Sequence, residues 1–89
     1  MRDVYGVAAF RSRQQVLRFE AALRQRGVPT QVVTTPRDIS MGCGLSVRFP
    51  MERVNDVHRA LMASNPGNLI GLYRAEYDGA RLRVVPVQR

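Results

Sequence analysis

Val4-Tyr5-Gly6-Val7-Ala8-Ala9-Phe10, running into Arg11-Ser12-Arg13-Gln14-Gln15-Val16-Leu17-Arg18-Phe19-Glu20-Ala21-Ala22-Leu23 and on to Gly27-Val28-Pro29, is the stretch whose periodicity decides the fold. The first seven residues are apolar at nearly every position, as in a central strand covered on at least one face. Past Phe10 the period changes. Ser12 and Gln15 have the S-x-x-Q spacing of a capping box, Val16, Phe19 and Leu23 recur at intervals of three and four, and Gly27 with Pro29 closes the helix.

Outward from this strand and helix, the remaining elements follow from turn signals. Val28 to Thr35 reads as a second strand, which Pro29 confines to an edge or to its first residues. Leu45, Val47 and Phe49 alternate with Ser46 and Arg48 in a third strand with one apolar face. Val54, Val57 and Leu61 mark a second helix ended by Asn65-Pro66-Gly67, and Leu69 to Tyr77 is a fourth strand. Asp78-Gly79 predicts a two-residue hairpin turn and a fifth strand. That register sets Tyr77 opposite Ala80, Ala75 opposite Leu82 and Tyr73 opposite Val84. Glu76 then faces Arg81, and Arg74 faces Arg83 at a mild like-charge cost. The order is that of an α+β, ferredoxin-like βαββαβ sandwich with an added C-terminal edge strand. Right-handed crossovers give sheet order 5-4-1-3-2 with both helices on one face. The end of strand 1, the start of helix 1, the strand 2–3 loop and the start of strand 4 then share one end of the molecule.

With 89 residues and 45% hydrophobic content, residues 1–89 are expected to form one domain. The longest apolar run, Val7-Ala8-Ala9-Phe10, is far too short to cross a bilayer. Met1-Arg2-Asp3-Val4 lacks the regions of a signal peptide, so the expectation is a cytoplasmic protein without a membrane partner. One cysteine forms no internal disulfide, and together with the single histidine, His58, it supplies too few ligands for a zinc site. No metal and no cofactor are expected. The net charge of +7 rests on fourteen basic residues, all arginine. Genomic codon bias explains arginine over lysine as readily as function does, so the informative quantity is the charge, which favours anionic partners without selecting one.

The strand 2–3 connection, Pro36-Arg37-Asp38-Ile39-Ser40-Met41-Gly42-Cys43-Gly44, is longer than the two to five or so residues of an ordinary hairpin loop. Its cysteine stands between Gly42 and Gly44, which remove side-chain cover and admit a second molecule to the backbone. Two readings of Cys43 are open: a small buried hydrophobe at a strand start, the common fate of a free cysteine, or a reactive thiol. The topology favours the second by bringing the start of helix 1, near Ser12, and the guanidinium groups of Arg11, Arg13 and Arg37 to the same end, where they would stabilise a thiolate. Residues 11–26 hold five arginines against the single carboxylate of Glu20.

The run Pro36-Arg37-Asp38-Ile39-Ser40 through Cys43-Gly44-Leu45-Ser46-Val47-Arg48-Phe49, preceded by a helix ending in Gly27-Val28-Pro29, resembles the small bacterial domains of the putative selenium/sulfur carrier protein-like family. Their pattern is a P-R-x-I-S-x-x-C-G core followed by a strand of alternating apolar residues. Cys43 matches the family's cysteine, and Pro36, Arg37, Ser40 and Gly44 match its loop. The resemblance covers most of residues 4 to 75, with the Asp78-Gly79 hairpin as an extension. It implies a carrier role without naming substrate or donor; the leading expectation is that Cys43 transiently holds sulfur or selenium as a persulfide-type adduct and hands it from a donor to an acceptor protein, as a carrier or accessory protein and not a stand-alone catalyst.

Two other classes of function compete. A basic ferredoxin-like module would bind nucleic acid electrostatically and without sequence preference, although aromatics are few and the hairpin register sets Tyr73 and Tyr77 among apolar neighbours. A regulatory or assembly domain would pair its open sheet face with a second copy as a homodimer. Elsewhere the side chains read as structural: His58 on a helix face, Glu20–Arg24 and Asp56–Arg59 as helical ion pairs, and Met41, Met51 and Met62 as packing residues. No Ser/His/Asp set or phosphate-binding loop is present.

Overall fold

The computed structural model describes residues 3–37, 39, 44–64 and 69–87. Five strands, β1 (Asp3–Phe10), β2 (Gln31–Thr34), β3 (Leu45–Pro50), β4 (Leu69–Tyr77) and β5 (Leu82–Pro86), form one antiparallel sheet in the order β2-β3-β1-β4-β5. Two helices, α1 (Arg13–Gln25) and α2 (Val54–Ser64), pack against each other, and a 3-10 turn over Met51–Arg53 leads into α2. The expected α+β fold and sheet order are therefore present.

The core lies between the helices and one sheet face. Ala8, Phe10, Val47, Phe49 and Leu72 project from the strands onto Val16, Phe19 and Leu23 of α1 and onto Val57, Ala60 and Leu61 of α2. The rings of Phe10 and Phe19 meet with centroids 5.3 Å apart in a tilted pair. β1 is paired on both flanks, and Val7, Ala8 and Ala9 are all fully buried, which accounts for its nearly continuous apolar sequence. Gly6 stands opposite Phe49, whose ring lies so close above it that a Cβ there would fall inside the ring.

α1 ends in a Schellman motif. The Gly27 N–H donates to Arg24 O at 2.9 Å and the Val28 N–H to Leu23 O at 3.0 Å, with Gly27 at φ +79° where a side chain would be strained. This corrects the expected start of the second strand. Val28 is spent on the helix cap and the core, so β2 begins only at Gln31. At the other end of α1 the capping box does not close. Ser12 has the extended backbone of an N-cap and its carbonyl accepts from Val16 N–H at 3.2 Å, but its side chain makes no capping bond.

The β4–β5 hairpin differs from expectation by two residues. Tyr77 pairs with Leu82, Ala75 with Val84 and Tyr73 with Pro86, because the Asp78 carboxylate accepts from the N–H groups of Ala80 at 2.9 Å and Arg81 at 3.0 Å and so builds a four-residue loop. A slip of two keeps every side chain on its expected face. It also removes the like-charge contact: Arg74 faces Val85 and bonds Glu76 at 3.0 Å, while Glu76 faces Arg83. Two smaller expectations are corrected as well. Asp56 pairs with Arg53 at 2.7 Å rather than with Arg59, since Arg53 is held in place by a second bond to Gly27 O at 3.2 Å. Met62 is 71% exposed and packs against little, because it lies on the outer side of α2 from Val57 and Ala60; Met41 lies outside the described residues.

Two predictions follow from the packing. Gly6→Ala is expected to destabilise the fold by about 1–3 kcal/mol through overpacking, measured by chemical denaturation, with part of the loss recovered by adding Phe49→Leu. The Arg53 hydrogen bond holds the Asp56 carboxyl below its ordinary pKa. The pair therefore contributes fully above the ordinary carboxylate range, and the contribution is lost as pH falls through the lowered value. Arg53→Ala should return the Asp56 titration, followed by NMR, to the ordinary range.

Candidate functional site

The register of β1 and β3 sets Ala9 opposite Ser46, and that of β2 and β3 sets Thr34 opposite Leu45. Phe10, Thr34, Leu45 and Leu69 therefore gather at one end of the sheet, and α1 begins there three residues after Phe10. The pairing of β1 with β4 is irregular at this end, passing from Ala9–Gly71 to Phe10–Leu69. The strand ends and the start of α1 enclose an open cleft of about 460 Å³, lined among the described residues by Arg11, Arg13, Thr34, Gly44 and Leu45.

The β2–β3 loop is anchored at both of its described ends. After Thr35, the Ile39 N–H donates to Pro36 O at 3.0 Å and folds Pro36 to Ile39 into a turn. At the far end the Thr35 N–H donates to Gly44 O at 2.9 Å, extending the β2–β3 ladder by one bond. Beneath it the hydroxyls of Thr35 and Ser46 share a 2.6 Å hydrogen bond, with both residues buried. At Gly44 a Cβ would stand 3.1 Å from Thr35 Oγ1, a tight approach that would press on the Thr35–Ser46 pair. The threonine before Pro36, the glycine after Cys43 and the first polar residue of β3 thus form the floor of the loop.

Of the nine site residues expected from sequence, the structure brings Arg11, Arg13 and Gly44 together around the cleft. Ser12 lies between the two arginines as the N-cap residue of α1, half-buried. Pro36 and Arg37 begin the turn; Arg37 is exposed and does not line the cleft, so the arginine cluster consists of two residues there rather than three. Ser40, Gly42 and Cys43 lie outside the described residues. Arg11 and Arg13 are both exposed, and neither forms an ion pair with a described residue. No acidic residue stands in the first turn of α1 to offset their charge.

Thr34 and Leu45 of the cleft, and the Thr35–Ser46 pair below the loop, were not singled out from the sequence. The available signal was polar: Ser46 interrupts an otherwise apolar strand start, and a buried hydroxyl there requires a partner within reach. Among the described residues no group of three or more His, Cys, Asp or Glu side chains could hold a metal ion, and no helix is long and apolar enough to cross a membrane.

A two-helix, five-stranded antiparallel α+β fold, with Arg11 and Arg13 lining a cleft beside Gly44 at the end of the β2–β3 connection, defines the class of molecule. Within that class the chain belongs to the putative Se/S carrier protein-like family, whose model matches residues 5–74. The match runs from β1 into β4 and takes in every described residue that lines the cleft, while the end of β4, the turn at Asp78 and β5 lie beyond it. Comparison with curated proteins and with solved structures finds no match.

The floor of the loop generates a prediction. Thr35→Val leaves the Ser46 hydroxyl buried without its partner and is expected to cost about 1–3 kcal/mol. Adding Ser46→Ala removes the orphaned group, so the double variant should lose less than the sum of the two single losses in a denaturation cycle.

Proposed function

We propose that this protein carries sulfur or selenium on Cys43, taking the atom from a donor protein and passing it to an acceptor. The observation that carries the reading is the anchoring of Gly44. This residue is one peptide bond from Cys43, and its carbonyl is bonded to Thr35 while its backbone lines a cleft shared with Arg11 and Arg13. Consecutive Cα atoms stand about 3.8 Å apart, so the loop end that holds the thiol is tied to the cationic rim. Family membership supports the same reading.

The chemistry needs no cofactor. The Cys43 thiolate attacks the terminal sulfur of a donor persulfide, R–S–SH. The new bond joins the Cys43 sulfur to that terminal atom, the donor S–S bond breaks, and R–S⁻ departs with the electron pair. Cys43 then bears –S–SH, and an acceptor thiolate repeats the exchange in the other direction to restore the Cys43 thiolate. Each exchange is balanced without an external oxidant or reductant. The guanidinium groups of Arg11 and Arg13 favour the attacking thiolate, the adduct in its anionic form and the anionic donor alike. Selenium follows the same course as –S–Se⁻.

The test is intact-mass analysis after exposure to glutathione persulfide. A gain of about 32 Da on Cys43 is expected, or about 79 Da after a selenium donor, absent in Cys43→Ser and removed by a thiol acceptor. Alkylation of the native protein should have a pH midpoint below about 8.5, the ordinary cysteine value. Arg11→Ala and Arg13→Ala should move that midpoint upward more than Arg37→Ala does. A native protein that takes up neither sulfur nor an alkylating agent until it is unfolded would end the carrier reading.

A further inference from the structure

β2 is the outermost strand on its side of the sheet, so one flank of Gln31–Thr34 has no ladder partner among the described residues. α1 runs beside it, and two observations align the two elements. At the start of α1, Arg13 shares the cleft with Thr34. Midway along the helix, Glu20, which pairs with Arg24 at 2.7 Å, accepts from the hydroxyl of Thr30, the residue before β2, at 2.8 Å. From residue 34 to residue 30 the extended chain spans about 13 Å at roughly 3.3 Å per residue. From residue 13 to residue 20 the helix rises about 10.5 Å at 1.5 Å per residue. The two spans agree to within about 3 Å, so Leu17, one turn past Arg13 and on the same stripe as Arg13 and Glu20, falls on the stretch of α1 that runs alongside Val32.

Both residues are exposed, Leu17 by 51% and Val32 by 39%. Val32 pairs with the core residue Val47, and directly paired residues project to the same face, so Val32 points to the helix side, toward α1. The edge therefore presents a backbone ladder unpaired among the described residues, two exposed apolar side chains, Leu17 and Val32, and the cations Arg11 and Arg13 at the end where the β2–β3 loop begins. Glu20, the only carboxylate of α1, is already engaged by Thr30 and Arg24.

We infer that the β2 edge is the docking site for an extended segment of a partner protein that carries apolar and acidic residues at every second position, on one face. The segment adds as a strand to β2 with that face toward α1, its apolar side chains on Leu17 and Val32 and its carboxylates further along the same face, toward Arg13 and Arg11. A second copy of this chain fits poorly, since antiparallel pairing of two β2 edges would set the arginine-rich α1 helices side by side. Nucleic acid offers neither a ladder for β2 nor apolar side chains for the Leu17–Val32 pair. Pro29 and Pro36 bound the edge and limit the added strand to a short one. The inference rests on the carrier reading only for its purpose: a partner seated on this edge reaches Thr35, where the Cys43 loop begins.

The experiment follows the anisotropy of a fluorescein-labelled eight-residue peptide in which two valines and then two glutamates occupy every second position, with threonine between them, and a lysine-for-glutamate peptide and single-stranded dT12 serve as comparisons. Binding of the glutamate peptide is expected, with hydrogen-exchange protection rising at residues 31–34. Leu17→Asp and Val32→Lys, both at exposed positions and checked for unchanged Tm, should each weaken it about tenfold, the cost of losing a central contact. Arg13→Ala should weaken it less and flatten its salt dependence. Equal binding of the lysine peptide, tighter competing binding of dT12, a self-association abolished by Val32→Lys, or no added protection on β2 would each overturn the inference. Cys43→Ser should bind the peptide unchanged. Failed sulfur loading with intact peptide binding would therefore count against the carrier reading alone.

Discussion

Phe49 lies across Gly6, and the position of every element around the cleft depends on that contact. The ring occupies space that any larger residue on β1 would need, so β3 can seat itself on β1 in the register that puts a glycine beneath it. Shifting β3 by two residues would set Phe49 over Ala8 or Val4 and drive the ring into a Cβ. Because β2 is paired only with β3, the same contact carries Thr34, Thr35 and Gly44 to their places beside Phe10. The two described ends of the β2–β3 loop, Thr35 and Gly44, thus take their places from a packing constraint midway along β1.

Arg53 reinforces the arrangement away from the cleft. It bonds the Gly27 carbonyl, just past the C-terminus of α1, and Asp56 in the first turn of α2, tying the two helices together at the closed end of the molecule. At the other end Arg11 and Arg13 form no ion pair with any described residue. Arginine is thus engaged where it fastens α1 to α2, while the two arginines of the cleft keep their charge unneutralised among the described residues.

The sequence made the architecture legible wherever period and punctuation agreed. β1 and α1 stood out because an apolar run gives way to three-and-four spacing, and β4 was bounded correctly from Leu69 to Tyr77. Errors arose where one side chain had two uses. Asp78 can favour a tight turn or bond the backbone two and three residues on, and the second use lengthened the loop. Val28 was apolar enough for a strand but serves as the hydrophobic end of a helix cap. Ser12 had the right spacing for a capping bond that its hydroxyl does not make. At the cleft, Arg11 and Arg13 were legible because topology alone brings them to the loop. The buried Thr35–Ser46 pair was not, since two hydroxyls on neighbouring strands become partners only once the register is known.

The central place of β1 has a consequence for the order in which the protein can be completed during synthesis. β1 emerges before both of its neighbours, and β3 can join it as soon as residue 50 has been made, but its other neighbour, β4, follows only with residues 69–77. Local hairpins form early and distant closures late, because the entropic cost of a loop grows with its length. Until β4 leaves the ribosome, the most apolar strand of the chain keeps one flank unpaired and open to chaperones and to neighbouring nascent chains.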